Sequence, residues 1–189
     1  MIKILFICHG NICRSPMAEF VMKDLVKKAR LEKDFQIASA ATSTEEIGRP
    51  VYPPARRKLA EHGIRCDGHS ARQLTNQDYD EYDLLIGMDQ TNLRSMYRIC
   101  GGDYAGKMHL LLDFTDRRKG TPRKPSEAGC AGRGEARERS EFSPQAETEK
   151  SGLCFDEVAD PWYTDDFEAT WQDVLAGCQG LLKQLWESR

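Results

Sequence analysis

Short apolar runs that alternate with segments of helical periodicity constrain the fold of this chain more than any other feature. The runs are rich in Ile, Leu and Phe, which is typical of strands buried on both faces of a parallel sheet. Strands that alternate with helices indicate an α/β fold in which helices cover both faces of that sheet. The predicted strands are 3–7, 36–41, 82–88 and 108–114.

Apolar residues at helical spacing predict the intervening helices. The first predicted helix covers 17–31, and we expect Ser15 as its N-cap with Pro16 in the first helical position. The other predicted helices cover 55–62, 90–99 and 167–187.

The stretch from about 117 to 152 lacks both kinds of periodicity. It consists mostly of Arg, Lys, Glu, Gly, Pro and Ser. Such a segment cannot bury enough apolar surface to offset an ordering cost of roughly 1–2 kcal/mol per residue. Because the α/β pattern resumes after it, we expect a single domain over 1–189 that contains a disordered insertion.

Composition excludes several classes of protein. A formal net charge of −3 creates no strong attraction to nucleic acid or to an anionic membrane. No apolar run approaches the roughly 20 residues that span a bilayer. The seven cysteines show neither a disulfide framework nor zinc-finger spacing. We therefore expect a cytoplasmic protein without a metal, a cofactor, or a nucleic-acid or membrane partner.

A polar loop connects the first predicted strand to the first predicted helix. A loop before a helix N-terminus points several backbone N–H groups inward, and these groups and the helix dipole favour an anion such as phosphate. The sequence therefore predicts a phosphate-binding loop made of Cys8, His9, Gly10, Asn11, Ile12, Cys13, Arg14 and Ser15.

Individual residues of this loop suit nucleophilic catalysis on phosphorus. Gly10 permits close backbone approach, and Asn11 tolerates a left-handed conformation. Arg14 can bind two phosphate oxygens at once. We expect Cys8 to ionise in this field and to act as the nucleophile, with a hydrogen bond from Ser15 to its sulfur.

The spacing of cysteine and arginine is not sufficient by itself, because Cys66 and Arg72 repeat it. That second pair has no clear preceding strand, no hydroxyl residue after the arginine and no helix start. We interpret it as a coincidence.

The segment 8–19 reads Cys-His-Gly-Asn-Ile-Cys-Arg-Ser-Pro-Met-Ala-Glu and resembles the signature of the low-molecular-weight protein-tyrosine phosphatases. Further similar segments are 39–43, 69–72, 88–93 and 160–163. The resemblance implies a three-layer α/β/α fold with a four-stranded parallel sheet. It also implies hydrolysis of phosphotyrosine proteins and small aryl phosphates through a phosphocysteine.

A general acid must protonate the leaving oxygen. The residues alone do not choose one carboxylate among many, although Asp160 precedes Pro161, which restricts its backbone. The resemblance selects Asp160 as the proton donor. Trp162 and Tyr163 follow it and can form walls for a flat phenyl ring.

The resemblance also supplies supporting residues. Ser39 and His69 match positions that brace the phosphate loop through Asn11, and Asp89 matches a buried acidic position near the loop. For His69 and Asp89 a structural hydrogen bond is the preferred interpretation. The predicted substrate pocket consists of Ile12, Glu45, Trp162 and Tyr163, and Glu45 stands where many family members have an aromatic residue.

Three alternatives share part of this pattern. An arsenate reductase requires a downstream cysteine relay, and 84–97 contains no cysteine. A protein-arginine phosphatase has Thr where this chain has Ile12. A non-catalytic phosphate-binding module would not require Cys8, Arg14 and Asp160 together.

Cys13 suggests a redox role. It neighbours Cys8 across one turn of the loop, so peroxide can convert the pair into a reversible disulfide that protects the nucleophile.

Overall fold

The structure is a computed structural model and describes residues 1–115 and 157–187. Its strands form one parallel sheet in the order β2-β1-β3-β4. This sheet confirms the predicted α/β fold with four parallel strands. The strands are β1 Ile2–Cys8, β2 Phe35–Ala41, β3 Leu84–Gly87 and β4 Met108–Leu110.

Helices cover both faces of the sheet. One face packs against α1 and α6, with α2 against α6, and the other face packs against α3 and α4. The bounds in the described residues are α1 Arg14–Lys28, α2 Pro53–Glu61, α3 Asn76–Glu81, α4 Gln90–Cys100, α5 Pro161–Thr164 and α6 Phe167–Glu187.

The central strand β1 contributes to two separate hydrophobic cores. Ile4 and Phe6 face the core beneath α1 and α6, whereas Leu5 and Ile7 face the core beneath α3 and α4. All four side chains are fully buried. A continuous apolar run is therefore required here, since alternate residues point to opposite faces of a strand.

The prediction that Ser15 caps the first helix was wrong. Helix α1 begins at Arg14 with Cys13 as its N-cap, so Pro16 occupies the third helical position. Proline is tolerated there because the first N–H groups of a helix have no intrahelical acceptor. The hydroxyl of Ser15 instead lies 3.1 Å from the sulfur of Cys8.

The predicted strand 108–114 is too long. Strand β4 ends at Leu110, and a 3₁₀ helix covers Leu111–Phe114. An apolar run does not distinguish a strand from a buried turn. Here α6 decides the conformation, because its backbone approaches so closely that a Cβ atom on Gly180 would lie 2.0 Å from the carbonyl oxygen of Phe114.

The sequence interpretation also missed α3. This helix follows Thr75, and the Asp78 carboxylate accepts hydrogen bonds from the Thr75 N–H (2.7 Å) and hydroxyl (3.0 Å). A Thr followed three residues later by Asp is a recognisable helix-start signal.

The described residues 1–115 and 157–187 pack into one unit. The predicted insertion at 117–152 lies outside the described residues. Among the described residues, no helix is both long and apolar enough to span a bilayer.

Candidate active site

The predicted phosphate loop lies at the carboxyl edge of the sheet, at the point where the strand order changes direction. β2 pairs with one side of β1 and β3 with the other, so the loops after β1 and β3 diverge and leave a crevice. Open α/β sheets bind ligands at such a switch point. The loop of residues 8–15 follows β1, and Asp89 follows β3 on the opposite side of the crevice.

Asn11 organises the loop. Its backbone is left-handed, with φ of 56°, and its side chain is fully buried. The side-chain N–H₂ donates to the hydroxyl oxygens of Ser15 (2.9 Å) and Ser39 (2.8 Å). Its side-chain oxygen accepts the backbone N–H of Arg72 at 3.2 Å, and its carbonyl oxygen lies 2.8 Å from Nε2 of His69.

The direction of these bonds determines what Ser15 offers to Cys8. The Arg72 N–H fixes which end of the Asn11 amide is the acceptor, so the other end must donate to Ser15. The Ser15 hydroxyl can therefore donate its proton to the sulfur of Cys8, 3.1 Å away, which is nearer than its other acceptor, the carbonyl oxygen of Ala40 at 3.5 Å. A hydrogen bond to sulfur favours the thiolate, which is the nucleophilic form.

A buried carboxylate extends the network behind the loop. The Ser39 hydroxyl donates to Glu19, and the same carboxylate oxygen lies 4.0 Å from Nδ1 of His69. Sequence interpretation missed both Glu19 and the backbone of Arg72. The signature segment includes Glu19, but nothing local indicates its contact with Ser39, 20 residues away.

Arg14 is held between two carboxylates. One guanidinium nitrogen donates to Asp89 Oδ2 at 2.7 Å, and the other lies 2.6 Å from Asp160 Oδ2. Burial opposes the charge of this side chain, but the negative charges of Cys8, Asp160 and Asp89 together raise the pKa of Arg14. Arg14 therefore stays cationic in a buried position, which is what an oxyanion receptor requires.

Each of these carboxylates is also fixed by the helix that it precedes. Asp89 Oδ1 accepts the N–H of Asn92 at 2.6 Å at the start of α4. Asp160 Oδ1 accepts the N–H of Trp162 at 3.1 Å at the start of α5. In both cases the second oxygen remains for Arg14, so helix capping sets the orientation of the two acids.

The two residues before Asp160 are each bonded to a different part of the fold. The N–H of Val158 donates to the carbonyl oxygen of Met88 at 3.0 Å, beside the end of β3. The N–H of Ala159 donates to the Asp173 carboxylate of α6 at 3.1 Å. These two bonds position the residues immediately before Asp160.

A cavity of about 400 Å³ contains most of the predicted residues. Trp162 and Tyr163 are 68% and 85% exposed, and Glu45 lies on the rim with its carboxylate 3.2 Å from Nε2 of His9. Glu46 and Thr91 also line the cavity and were not predicted. The full lining is Cys8, His9, Gly10, Ile12, Cys13, Arg14, Glu45, Glu46, Thr91, Asp160, Trp162 and Tyr163.

Another cavity, of about 370 Å³, lies between α1 and α6, but it is mostly apolar and contains neither a cysteine nor a carboxylate. The described residues contain no group of three or more His, Cys, Asp or Glu side chains that could hold a metal ion.

The cysteines of the chain differ in character. Burial, followed by the charges of Cys8 and Asp160, raises the pKa of Cys13 to about 12, so this thiol is protonated at neutral pH. Burial also raises the pKa of Cys66. Arg72, its partner in the repeated spacing, makes two bonds of 3.0 and 2.9 Å to Asp78. The second pair therefore has neither an available thiolate nor an available guanidinium.

We predict that Asn11→Ala lowers the free energy of unfolding by about 2–5 kcal/mol. A left-handed alanine costs roughly 1–2 kcal/mol, and the unpaired partners cost about 1–3 kcal/mol. Asn11→Gly also loses the side-chain hydrogen bonds, but glycine adopts the left-handed backbone without the cost that alanine pays. The glycine variant should therefore be more stable than the alanine variant by about 1 kcal/mol. Urea denaturation of both variants measures this difference, and equal stabilities would contradict the role of the left-handed backbone.

Comparisons with known proteins agree with this geometry. The family model described as low molecular weight phosphotyrosine protein phosphatase matches residues 3–124. The low molecular weight protein-tyrosine-phosphatase YfkJ of Bacillus subtilis is 32% identical over 189 residues, covering 100% of this chain and 99% of that protein. The crystal structure of YfkJ superimposes with a TM-score of 0.76 and covers 100% of this chain and 97% of its own.

Two further crystal structures are informative. SP-PTP, the low molecular weight protein tyrosine phosphatase of Streptococcus pyogenes, is 32% identical with a TM-score of 0.70, covering 98% of this chain and 93% of its own. A Drosophila arginine phosphatase is 23% identical with a TM-score of 0.71, covering 97% and 98%, and at that identity shows only the shared fold. The chain belongs to the low molecular weight phosphotyrosine protein phosphatase family and is therefore a protein-tyrosine phosphatase.

Proposed function

We propose that this phosphatase hydrolyses phosphotyrosine and small aryl phosphate monoesters through a phosphocysteine formed on Cys8. One observation carries the proposal. Cys8, Arg14 and Asp160 line the same cavity, and Arg14 lies 2.6 Å from the proposed acid. A nucleophile, an anion receptor and a proton donor are thus within reach of one bound phosphate.

In the first step the sulfur of Cys8 attacks phosphorus, and the bond from phosphorus to the tyrosine oxygen breaks. Arg14 and the N–H groups of the loop hold the non-bridging oxygens. Asp160 donates its proton to the leaving oxygen. Since the phosphate and Asp160 both use the Arg14 guanidinium, binding of substrate frees Asp160 to turn toward that oxygen.

In the second step water attacks the phosphocysteine, and Asp160 accepts a proton from the water. The bond between sulfur and phosphorus breaks, and the sulfur leaves as the thiolate. The Ser15 hydroxyl, 3.1 Å from the sulfur, stabilises the negative charge that forms there. Inorganic phosphate is released, and the protonated acid is restored for the next cycle.

The cavity favours a flat aromatic substrate. Ile12, Trp162 and Tyr163 provide apolar walls, on which a phenyl ring can pack. Ile12 also supports phosphotyrosine over phosphoarginine, because Thr is the residue associated with phosphoarginine. Competing phosphotyrosine and phosphoarginine peptides in one reaction measure this preference directly.

The described residues offer no support for an arsenate reductase. The segment 84–97 has no cysteine, and Cys100, which follows it, is buried. Burial and then the charges of Asp78 and Asp103 raise the pKa of Cys100 to about 11, and Cys100 does not line the cavity that contains Cys8, so it is not placed for a thiol relay with Cys8.

We further propose one catalytic domain over 1–189, with 117–152 as an insertion, in a reducing cytoplasm. The cysteines of the described residues support the location, because Cys8, Cys13, Cys66, Cys100 and Cys178 are all free thiols. Membership of the family supports phosphotyrosine proteins or small aryl phosphates as partners, and a net charge of −3 creates no strong attraction to nucleic acid or to an anionic membrane.

Cys8→Ser should reduce the kcat for p-nitrophenyl phosphate by more than about 10³-fold, because the serine hydroxyl has no adjacent base to activate it. Cys66→Ser is the matched control, since Cys66 lies outside the cavity and should leave kcat within about twofold. Full turnover by Cys8→Ser would disprove the nucleophile assignment.

Asp160→Asn should lower kcat by about 10²–10⁴-fold for phenyl phosphate and by less for p-nitrophenyl phosphate, whose leaving group needs less protonation. Asparagine caps helices as well as aspartate does, so the start of α5 should persist. Steady-state kinetics with a series of phenols measures the dependence on the leaving group. An unchanged dependence would exclude Asp160 as the acid.

Mild treatment with hydrogen peroxide should form a disulfide between Cys8 and Cys13, which protects Cys8 from irreversible oxidation. Peroxide oxidises the Cys8 thiolate to a sulfenic acid, which removes one of the negative charges that raise the pKa of Cys13. The Cys13 sulfur then attacks the Cys8 sulfur, and its proton leaves with the sulfenic hydroxyl as water. Peptide mapping after mild oxidation should find the linked pair, with activity restored by a thiol reductant. Detection of only sulfinic or sulfonic acid at Cys8 would reject this protection.

A further inference from the structure

A second cleft, of about 260 Å³, opens beside the active-site cavity. Cys13 and Trp162 line both spaces, so the cleft and the cavity are neighbours. A substrate that fills the cavity therefore has its neighbouring residues close to the cleft. The cleft is lined by Cys13, Tyr52, Pro161, Trp162, Asp165 and Phe167.

Three aromatic rings surround this cleft. The Tyr52 centroid lies 6.4 Å from that of Trp162 and 6.2 Å from that of Phe167, with interplanar angles of 56° and 31°. The rings are tilted and do not stack, so their faces are not all covered by one another. Aromatic faces carry negative potential and attract cations, particularly where Trp and Tyr contribute together.

Asp165 adds a full negative charge to these rings. Its carboxylate is exposed, and no side chain among the described residues pairs with it. The neighbouring acids are already engaged, because Asp160 contacts Arg14 and Asp166 accepts the N–H of Ala169 at 2.9 Å. Asp165 is therefore the carboxylate of this loop that remains available for a ligand.

The walls of the cleft are fixed relative to the phosphate loop. The N–H of Tyr52 donates to the carbonyl oxygen of Ile12 at 2.8 Å, immediately before α2. Phe167 begins α6, and Pro161 begins α5. The cleft is thus formed where three helices start, and one wall is bonded directly to the loop.

We propose that this cleft binds the arginine side chain of a residue that flanks phosphotyrosine in the substrate, an inference that rests on the proposed function. A planar guanidinium stacks on aromatic faces and pairs with a carboxylate, which Lys does less well. The two acids of the cavity rim are less suited to this role. Glu45 faces His9 at 3.2 Å, and Glu46 pairs with Arg49 at 3.1 Å.

The test uses a set of four phosphotyrosine peptides. Each peptide carries a single arginine, placed one or two residues before the phosphotyrosine or one or two residues after it. Matched peptides carry citrulline, which has nearly the same shape without the charge. For the wild type, kcat/KM should favour arginine over citrulline by about 3- to 30-fold at one position, with a smaller gain for lysine.

Asp165→Asn and Tyr52→Leu should each reduce this ratio to below about twofold, with kcat/KM for p-nitrophenyl phosphate unchanged. Asparagine tolerates the left-handed backbone of Asp165, where φ is 53°, so the loop should keep its shape. Glu45→Gln is the matched control on the cavity rim and should retain the arginine preference.

The inference is overturned if no position shows a preference, if the preference survives both cleft variants, or if Glu45→Gln alone removes it. Calorimetry with Cys8→Ser separates this inference from the proposed chemistry. If the wild type hydrolyses none of the peptides, the proposed function fails. The affinities of Cys8→Ser for the arginine and citrulline peptides, measured by calorimetry, still decide whether the cleft binds the cation.

Discussion

Asn11 carries the constraint on which the active site depends. Its backbone is left-handed, with φ of 56°, within the short loop that connects β1 to α1. Its side chain connects the loop to α1 through Ser15, to β2 through Ser39 and to the segment before α3 through Arg72. Three separate parts of the chain must therefore be folded before the loop has its final shape. This requirement couples the chemistry proposed for Cys8 to the folding of α1, β2 and the segment before α3.

Around that loop, charge is balanced within a small volume. Arg14 is buried, and the two carboxylates that face it are anchored at the starts of α4 and α5. Removing charges from water is costly, so the pairs at Arg14 add less to stability than their short distances suggest. Their value is in orientation, because the guanidinium is held ready for an anion. In the proposed mechanism, an entering phosphate takes the place of the Asp160 carboxylate at Arg14, so the buried cation keeps an anionic partner.

Much of the fold was accessible from sequence because its signals are local. The run 3–7 is apolar at every position except Lys3, so it predicts a strand that is buried on both faces. Where signals were ambiguous, tertiary contacts decided. Leu111 and Leu112 suit a strand equally well, but the approach of α6 turns them into a 3₁₀ helix. Ser15 has the chemistry of an N-cap, yet its hydroxyl lies at Cys8.

The site shows the same division. The positions of Cys8, Arg14 and their neighbours follow from one continuous motif, whereas the brace behind them does not. The Arg72 backbone contacts Asn11 across 61 residues of sequence, and such a contact leaves no local pattern. Likewise, the aromatic cleft joins Tyr52 to Phe167, whose positions become neighbours only once α2 and α6 have docked.

The anchoring of Val158 and Ala159 has a further consequence for how this enzyme tolerates change. The bond to Met88 ties the residues before Asp160 to the end of β3, and the bond to Asp173 ties them to α6. On the far side of the gap in the described chain, the turn ending at Phe114 is packed against Gly180 of the same helix. Both borders are thus held against α6, and the one before Asp160 is also bonded to the end of β3, so we expect the position of the Asp160 carboxylate to tolerate changes in the length of the chain between the two borders.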